Sequence, residues 1–273
     1  MVNFPNLSDF VGRAEELDII EQAITASDRR TYVFLVSGIS GLGKTRLLQE
    51  IYLRYQDVPD VAFADRIDCY ETAAHVPFSI ESRLAANLGP FENFNLSFNN
   101  WYRARFLSAD LPVLTAAKAI SDAFLSDYAQ LAQTRRIVLR FDTVEVALRS
   151  ELWARIIELI PHLDNTVLLL AGQRFGESRH ALERRFAPKV IVRDLPLRGL
   201  DDQEVETFFE KLAQGLPLDS AMREKIRVLT GGRPVLLMLA IEWLRRSVST
   251  VSYTHLRAHE TVLDLVCRLL LEK

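Results

Sequence analysis

Eight consecutive residues, Gly38-Ile39-Ser40-Gly41-Leu42-Gly43-Lys44-Thr45, set glycines, a lysine and a hydroxyl at the spacing G-x-x-x-x-G-K-T. Gly38 and Gly43 let a backbone wrap closely round a polyphosphate, and Gly41 adds freedom inside the loop. The amide N–H groups of Ser40 and Leu42, and those of Lys44, Thr45 and Arg46 at the start of the following helix, then point at the anion. Lys44 reaches the β and γ phosphates, and the Thr45 hydroxyl is a ligand for Mg²⁺. A second carboxyl-bearing element fits the same chemistry: Ile137-Val138-Leu139-Arg140-Phe141-Asp142 is an apolar run ending in an acid. Such a strand brings a carboxylate to the outer coordination sphere of a magnesium ion beside Thr45. Glu145 follows three residues later, and two roles fit it: orienting or deprotonating an attacking water, or acting as a first-turn glutamate favoured by a helix dipole. Arg174, in Gly172-Gln173-Arg174 after another apolar run, has the form of a strand-end arginine that senses the γ-phosphate and stabilises charge in transfer. Asp65 and Asp68 are either near a metal-bound water or solvated strand-end acids.

These residues need a scaffold of strands and helices, and the pattern supplies one. Tyr32–Ser37, Val61–Asp68, Ile137–Asp142, Val167–Ala171 and the short Val190–Val192 read as strands. Helical periods run through Leu17, Ile20 and Ile24, through Lys44–Tyr55 with Leu47, Leu48, Ile51 and Leu53 inward, and through Pro112–Leu131, Leu148–Ile160 and the charged Glu177–Arg185. Ser8 or Asp9 is placed to cap the first of these. Gly89–Asn100 breaks the rhythm, and its aromatic residues, with Trp101, Tyr102 and Phe106, read as packing. Arg140 is out of place in an apolar strand, which predicts a position where its side chain escapes to solvent. From Leu195 onward only helices follow: Asp201–Ala213 burying Val205, Phe208, Phe209 and Leu212, then Ser220–Leu229, then Val235–Leu244. Gly232 is placed to end one helix and Pro234 to open the next.

Composition bounds the class. With 273 residues, 49% hydrophobic and 25% charged, the chain is expected to be a soluble, ordered protein of one large or two smaller domains. No run approaches a membrane span, and no basic-then-apolar leader is present, so a cytoplasmic location is expected. A net charge of −3 gives no footprint for nucleic acid. One stretch stands apart: Val251–Thr261 and Leu265–Glu272 each match, in one frame, a translated sequencing adapter. Val251 to Lys273, with Thr250 at its margin, is therefore read as non-native, and the gene product as cut short near Ser249. That removes Cys267, His255 and His259 from any site and leaves Cys69, so neither a disulfide framework nor a cysteine metal site is expected.

The order of these features resembles the STAND class of AAA+-related ATPases, the signal-transduction group that includes NB-ARC and NACHT modules. Val11-Gly12-Arg13 with Glu16 resembles the segment lining the adenine pocket in that class. Gly38–Thr45, Ile137–Asp142 and Arg174 match its phosphate loop, metal-site strand and sensor. Gly232-Arg233-Pro234 resembles the lid segment whose proline packs on adenine. The resemblance departs in one place: many relatives carry two adjacent acids at the strand end, whereas Thr143 follows Asp142 here.

The expectation is an α/β fold: a three-layer P-loop NTPase domain with a parallel sheet, residues 1–195, followed by a small all-helical lid, residues 196–249. What the resemblance implies is an ATP–Mg²⁺ site with Lys44, Asp142, Glu145 and Arg174 catalytic. Thr45 and Asp142 would attend the metal, and Val11, Gly12, Arg13, the loop, Arg46 and Pro234 the nucleotide. It further implies a slow ATPase switch between ADP and ATP states, self-assembling through the ATPase domain of a longer protein and touching DNA only through a domain outside this sequence. Two alternatives are an AAA+ loader-type ATPase acting on DNA and a P-loop small-molecule kinase. A nucleotide-binding scaffold without hydrolysis is a further rival, and the lack of an Asn-Lys-x-Asp motif disfavours a GTPase.

Overall fold

Three near-continuous apolar runs become the middle of a parallel sheet in the computed structural model, which describes residues 10–107, 113–176 and 178–250. The Ser8 and Asp9 caps and the adapter-like tail from Val251 lie outside the described residues. The chain divides into two compact units. One comprises Ala14–Gly38 and Lys44–Pro196; the other comprises the described residues of Met1–Arg13, Ile39–Gly43 and Leu197–Lys273.

The first unit runs α1 (Ala14–Ile24), β1 (Thr31–Ser37), α2 (Lys44–Tyr55), β2 (Val61–Phe63), β3 (Ile67–Asp68), α3 (Ser79–Leu88), α4 (Glu92–Leu107), α5 (Val113–Ala132), β4 (Arg136–Asp142), α6 (Glu151–Leu159), β5 (Thr166–Gly172), α7 (Ser178–Phe186) and β6 (Val190–Pro196). The strands lie in the order β2-β4-β5-β1-β6 with β3 also on β4, and every pairing is parallel. Strands β4 and β5 are buried along their whole length. A parallel strand covered on both faces has no use for alternation, hence the runs Ile137-Val138-Leu139 and Val167-Leu168-Leu169-Leu170. Edge strand β6 is buried only at Val190 and Leu195. Val33, Leu35, Ile137, Leu139, Leu168 and Leu170 join α3 to α7 in one core. Helix α2 packs against the opposite face, where Arg140 of β4 donates to Leu48 O.

Four expectations are revised here. Val61–Asp68 is not one strand: the ladder with β4 lapses at Ala64–Arg66 and resumes at Ile67. Helix α4 occupies most of the stretch read as a break. Phe91, Phe94 and Phe98 fall on one side, where Phe94 stacks on Phe98 with centroids 5.6 Å apart. Asp127 of α5, itself 6% exposed, accepts from Phe94 N at 2.9 Å and from Asn93 Nδ2 at 2.5 Å, capping α4 from another helix. Arg140 does not escape to solvent. It is 6% exposed, donates to Leu48 O and Ala64 O, and lies 4.5 Å from the Tyr52 ring centroid. Burial pushes its pKa down to about 10. On α2, Leu53 is only half-buried, and Glu50 is buried in its place, paired with Arg46 and Arg54.

The second unit contains α8 (Asp202–Leu212), α9 (Ser220–Thr230) and α10 (Pro234–Thr250). Asp201 and Glu204 close a capping box on α8, and Asp219 caps α9 by accepting from Met222 N. The glycine that ends α9 is Gly231, left-handed at φ 56°, rather than Gly232. Gly232 serves a close approach: a Cβ there would stand 2.2 Å from Leu200 O. Val11, Val205, Phe208, Phe209, Leu237 and Ile241 lie in its core.

Candidate nucleotide site

Strand β1 delivers the glycine loop. Its ladder with β5 runs to Ser37 opposite Gly172 and continues with Gly38 N donating to Gln173 O at 3.3 Å. Gly41 and Gly43 then turn with φ 85° and 89°, a region that costs any residue with a Cβ roughly 1–2 kcal/mol. At Lys44 the chain enters α2, so the loop ends on a helix N-terminus, where the first amides point out of the helix's own ladder. Ser40 and Thr45 are exposed, Leu42 is buried, and Arg46 pairs along its own helix with Glu50 at 3.6 Å. Lys44 Nζ donates to Gly38 O at 2.6 Å. Its pKa is lowered, chiefly because burial disfavours the cation; the charges of Glu145 and Asp142 oppose that shift.

Asp142 ends β4, 3% exposed and fully engaged. Its Oδ2 accepts the Thr45 hydroxyl at 2.7 Å and Arg66 Nη1 at 2.5 Å, while Oδ1 accepts Thr143 N at 2.9 Å. Thr143 sits at φ 56°, ψ 37°, an uncommon conformation for a β-branched residue, and it turns the chain directly into the short 3₁₀ turn Val144–Val146. Glu145 in that turn accepts Gln173 N at 3.2 Å, so a carboxylate stands beside the end of β5. Arg174 follows there, exposed. Asp65 is exposed, and half-buried Asp68 pairs with Asp142 in the ladder while accepting Tyr70 N.

In the second unit the loop apex meets two of the motifs singled out by sequence. Arg13 is 7% exposed, not solvated, and donates to Leu42 O at 3.0 Å and to Arg198 O. Its own amide donates to Glu204 Oε1 at 3.0 Å. A Cβ on Gly12 would stand 2.2 Å from that same oxygen. Val11 is in the core. Val235 N at the start of α10 donates to Gly41 O at 3.3 Å, and Pro234 Cγ would lie 3.9 Å from a Cβ on Gly43.

The donor set suits a hard cation brought by phosphates. A threonine hydroxyl and a carboxylate, both oxygen ligands, stand within hydrogen-bond distance of each other. Among the described residues no group of three or more His, Cys, Asp or Glu is placed to hold a metal. Remaining ligands would have to be water and phosphate oxygens, the usual habit of Mg²⁺. Sequence reasoning missed Arg66 altogether. Lying in Asp65-Arg66-Ile67-Asp68, it reads as one more solvated charge, and only the ladder's lapse after β2 turns it toward Asp142.

Together the parallel sheet, the glycine loop between β1 and α2 and the helical C-terminal part define an α/β P-loop NTPase-like fold. The chain is similar to the Orc1 protein of Aeropyrum pernix, solved in complex with DNA, at TM-score 0.56 and 14% identity over 98% of this chain and 68% of that one. It is similar to Cdc6p of Pyrobaculum aerophilum at TM-score 0.55 and 14% identity, over 90% and 64% of the two chains. Domain III of the replication initiation protein DnaA of Thermotoga maritima superposes at TM-score 0.52 and 14% identity, over 98% and 97%. No family model and no curated protein matches the sequence. Among the described residues no helix is long and apolar enough to cross a membrane.

Proposed function

We propose that this chain binds ATP with Mg²⁺ and hydrolyses it slowly, as the nucleotide module of a longer AAA+-related ATPase of the loader type that works on DNA. The observation that carries the nucleotide reading is the hydrogen bond of 2.7 Å between Thr45 and Asp142, which unites the phosphate loop with a carboxylate from a distant strand. Loop amides from Gly38 to Arg46 would hold the triphosphate, and Lys44 would leave Gly38 O for the β and γ oxygens. Thr45 and Asp142 would hold the magnesium, which would supply charge neutralisation to the phosphates. Glu145 orients the attacking water, and Arg174 stabilises charge on the transferred group. Val11, Gly12, Arg13 and Pro234 shape the nucleoside side. Likeness to Orc1 in complex with DNA and to a replication initiator supports the loader reading; DNA contacts themselves would come from a domain outside this sequence.

A STAND-type switch is the second reading, and one contact favours it. The Gly232-Arg233-Pro234 segment is tied to the loop apex through Val235 N and Gly41 O, so nucleotide at the loop would bear on α10. Phosphate release from ATP, measured with and without duplex DNA on a chain extended by its natural continuation, separates the two. Stimulation by DNA supports the loader; nucleotide-dependent assembly without it supports the switch. A purified chain that neither binds ATP nor releases phosphate refutes both.

A further inference from the structure

The carboxylate assigned to the metal already carries a cation. Arg66 Nη1 stands 2.5 Å from Asp142 Oδ2, the oxygen that also accepts the Thr45 hydroxyl. We propose that Arg66 is a specificity-determining residue of the site: its guanidinium and Mg²⁺ compete for Asp142, and their exchange sets how strongly nucleotide binding depends on the metal. This rests on the reading of Gly38–Thr45 as an ATP site.

Three observations carry it. Asp142 is 3% exposed, and Thr143 N–H pins its other oxygen, so the carboxylate cannot turn away to serve two cations in different places. Arg66 is free to leave: its side chain is 36% exposed and lies in the lapse of the ladder between β2 and β3. Arg140, the other arginine of this strand end, does not stand in for it. Lys44 is on Gly38 O, and Arg140 is held by Leu48 O and Ala64 O. A guanidinium and a divalent ion brought to one carboxylate repel each other, so holding the one weakens the hold on the other.

The consequence is a charge balance. With Arg66 in place Asp142 is neutralised, and a metal-free triphosphate meets one bare anion fewer. Binding of the metal complex would require Asp142 to loosen its hold on Arg66. Without Arg66 the carboxylate would repel metal-free ATP and hold the metal complex more readily.

The test is a titration of the full chain with a fluorescent N-methylanthraniloyl-ATP, in EDTA and in saturating Mg²⁺, for wild type, Arg66→Ala, Arg66→Lys and Arg66→Gln. The quantity read is the ratio of affinity with metal to affinity without. The ratio is expected to rise about tenfold in Arg66→Ala and Arg66→Gln, which lose the charge, the equivalent of one charge-assisted hydrogen bond. Arg66→Lys, which keeps the charge, is expected to stay near wild type. Arg66→Gln keeps much of the side chain and serves should the alanine variant fail to fold. If wild type and variants all bind nucleotide but the ratio rises by less than about threefold, the competition is refuted while the ATP site stands. If wild type binds no nucleotide in either condition, the ATP site itself falls and the competition with it.

Discussion

Replacing Asp142 by asparagine keeps the shape of the side chain and removes its charge, so it isolates what the anion does. The fold supplies three donors to this carboxylate: the Thr45 hydroxyl, the Arg66 guanidinium and the Thr143 amide. An asparagine has one acceptor oxygen and one donor group, and no orientation satisfies all three. If its oxygen faces Thr45 and Arg66, its amide group opposes Thr143 N–H and leaves a buried donor unmatched, at about 1–3 kcal/mol. If it turns the other way, Thr45 can rotate its hydroxyl to accept, but Arg66 has no acceptor and swings into solvent. That costs less, because Arg66 is already 36% exposed and its pairing is screened. The side chain takes the cheaper orientation, so the expected loss is about 1 kcal/mol, the low end of that range. For a protein of this size that lowers the melting temperature by roughly 2–4 °C per kcal/mol. Scanning calorimetry of the ligand-free protein in EDTA measures it. Removing a functional carboxylate often relieves repulsion and stabilises a protein, so an unchanged or higher melting temperature would refute the claim that donors within the fold satisfy Asp142.

Asp127→Ala should cost more than an average surface change, about 2–4 kcal/mol, because it leaves Phe94 N and Asn93 Nδ2 without their acceptor; urea unfolding with hydrogen exchange at the first turn of α4 reads it. Cys69 is fully buried, and its thiol pKa is pushed up to about 12 from 9.0, first by desolvation and then by nearby carboxylates. It should resist iodoacetamide in the native state at pH 8 and react only on unfolding, as site-resolved mass spectrometry would show. Its ionisation should also leave stability unchanged below about pH 9. Above that the unfolded thiol loses its proton while the native one keeps it, so the Cys69 contribution to stability falls with rising pH until the native thiol also ionises near 12.

How much was legible in the sequence depended on the range of the forces involved. Helix α2 was placed at Lys44–Tyr55 and the end of β4 at Asp142, because loop glycines, apolar runs and terminal charges are local signals. Helix α4 was not, because Pro90 and four asparagines read locally as a break; the groups that override them, Asp127 and Phe124, sit on α5. Arg140 was misread for the same reason. A lone charge in an apolar strand predicts escape, but Leu48 O, Ala64 O and the Tyr52 face bind it inside. Within the candidate site, residue types and spacing singled out Lys44, Thr45, Asp142 and Glu145. What they could not reveal is that Arg66 shares Asp142 with Thr45, since nothing in an Asp-Arg-Ile-Asp run indicates which of its neighbours turns inward.

The central claim is that Gly38–Thr45 grips a triphosphate through its amides and Lys44. Lys44→Ala tests it most directly, since the lysine is held at a cost of desolvation and its loss should not unfold the chain. Titration of fluorescent ATP in Mg²⁺ into the wild-type and Lys44→Ala proteins should show affinity falling by at least about a hundredfold, as expected when a charged group on two phosphates is lost. Equal affinity in the two proteins would contradict the account.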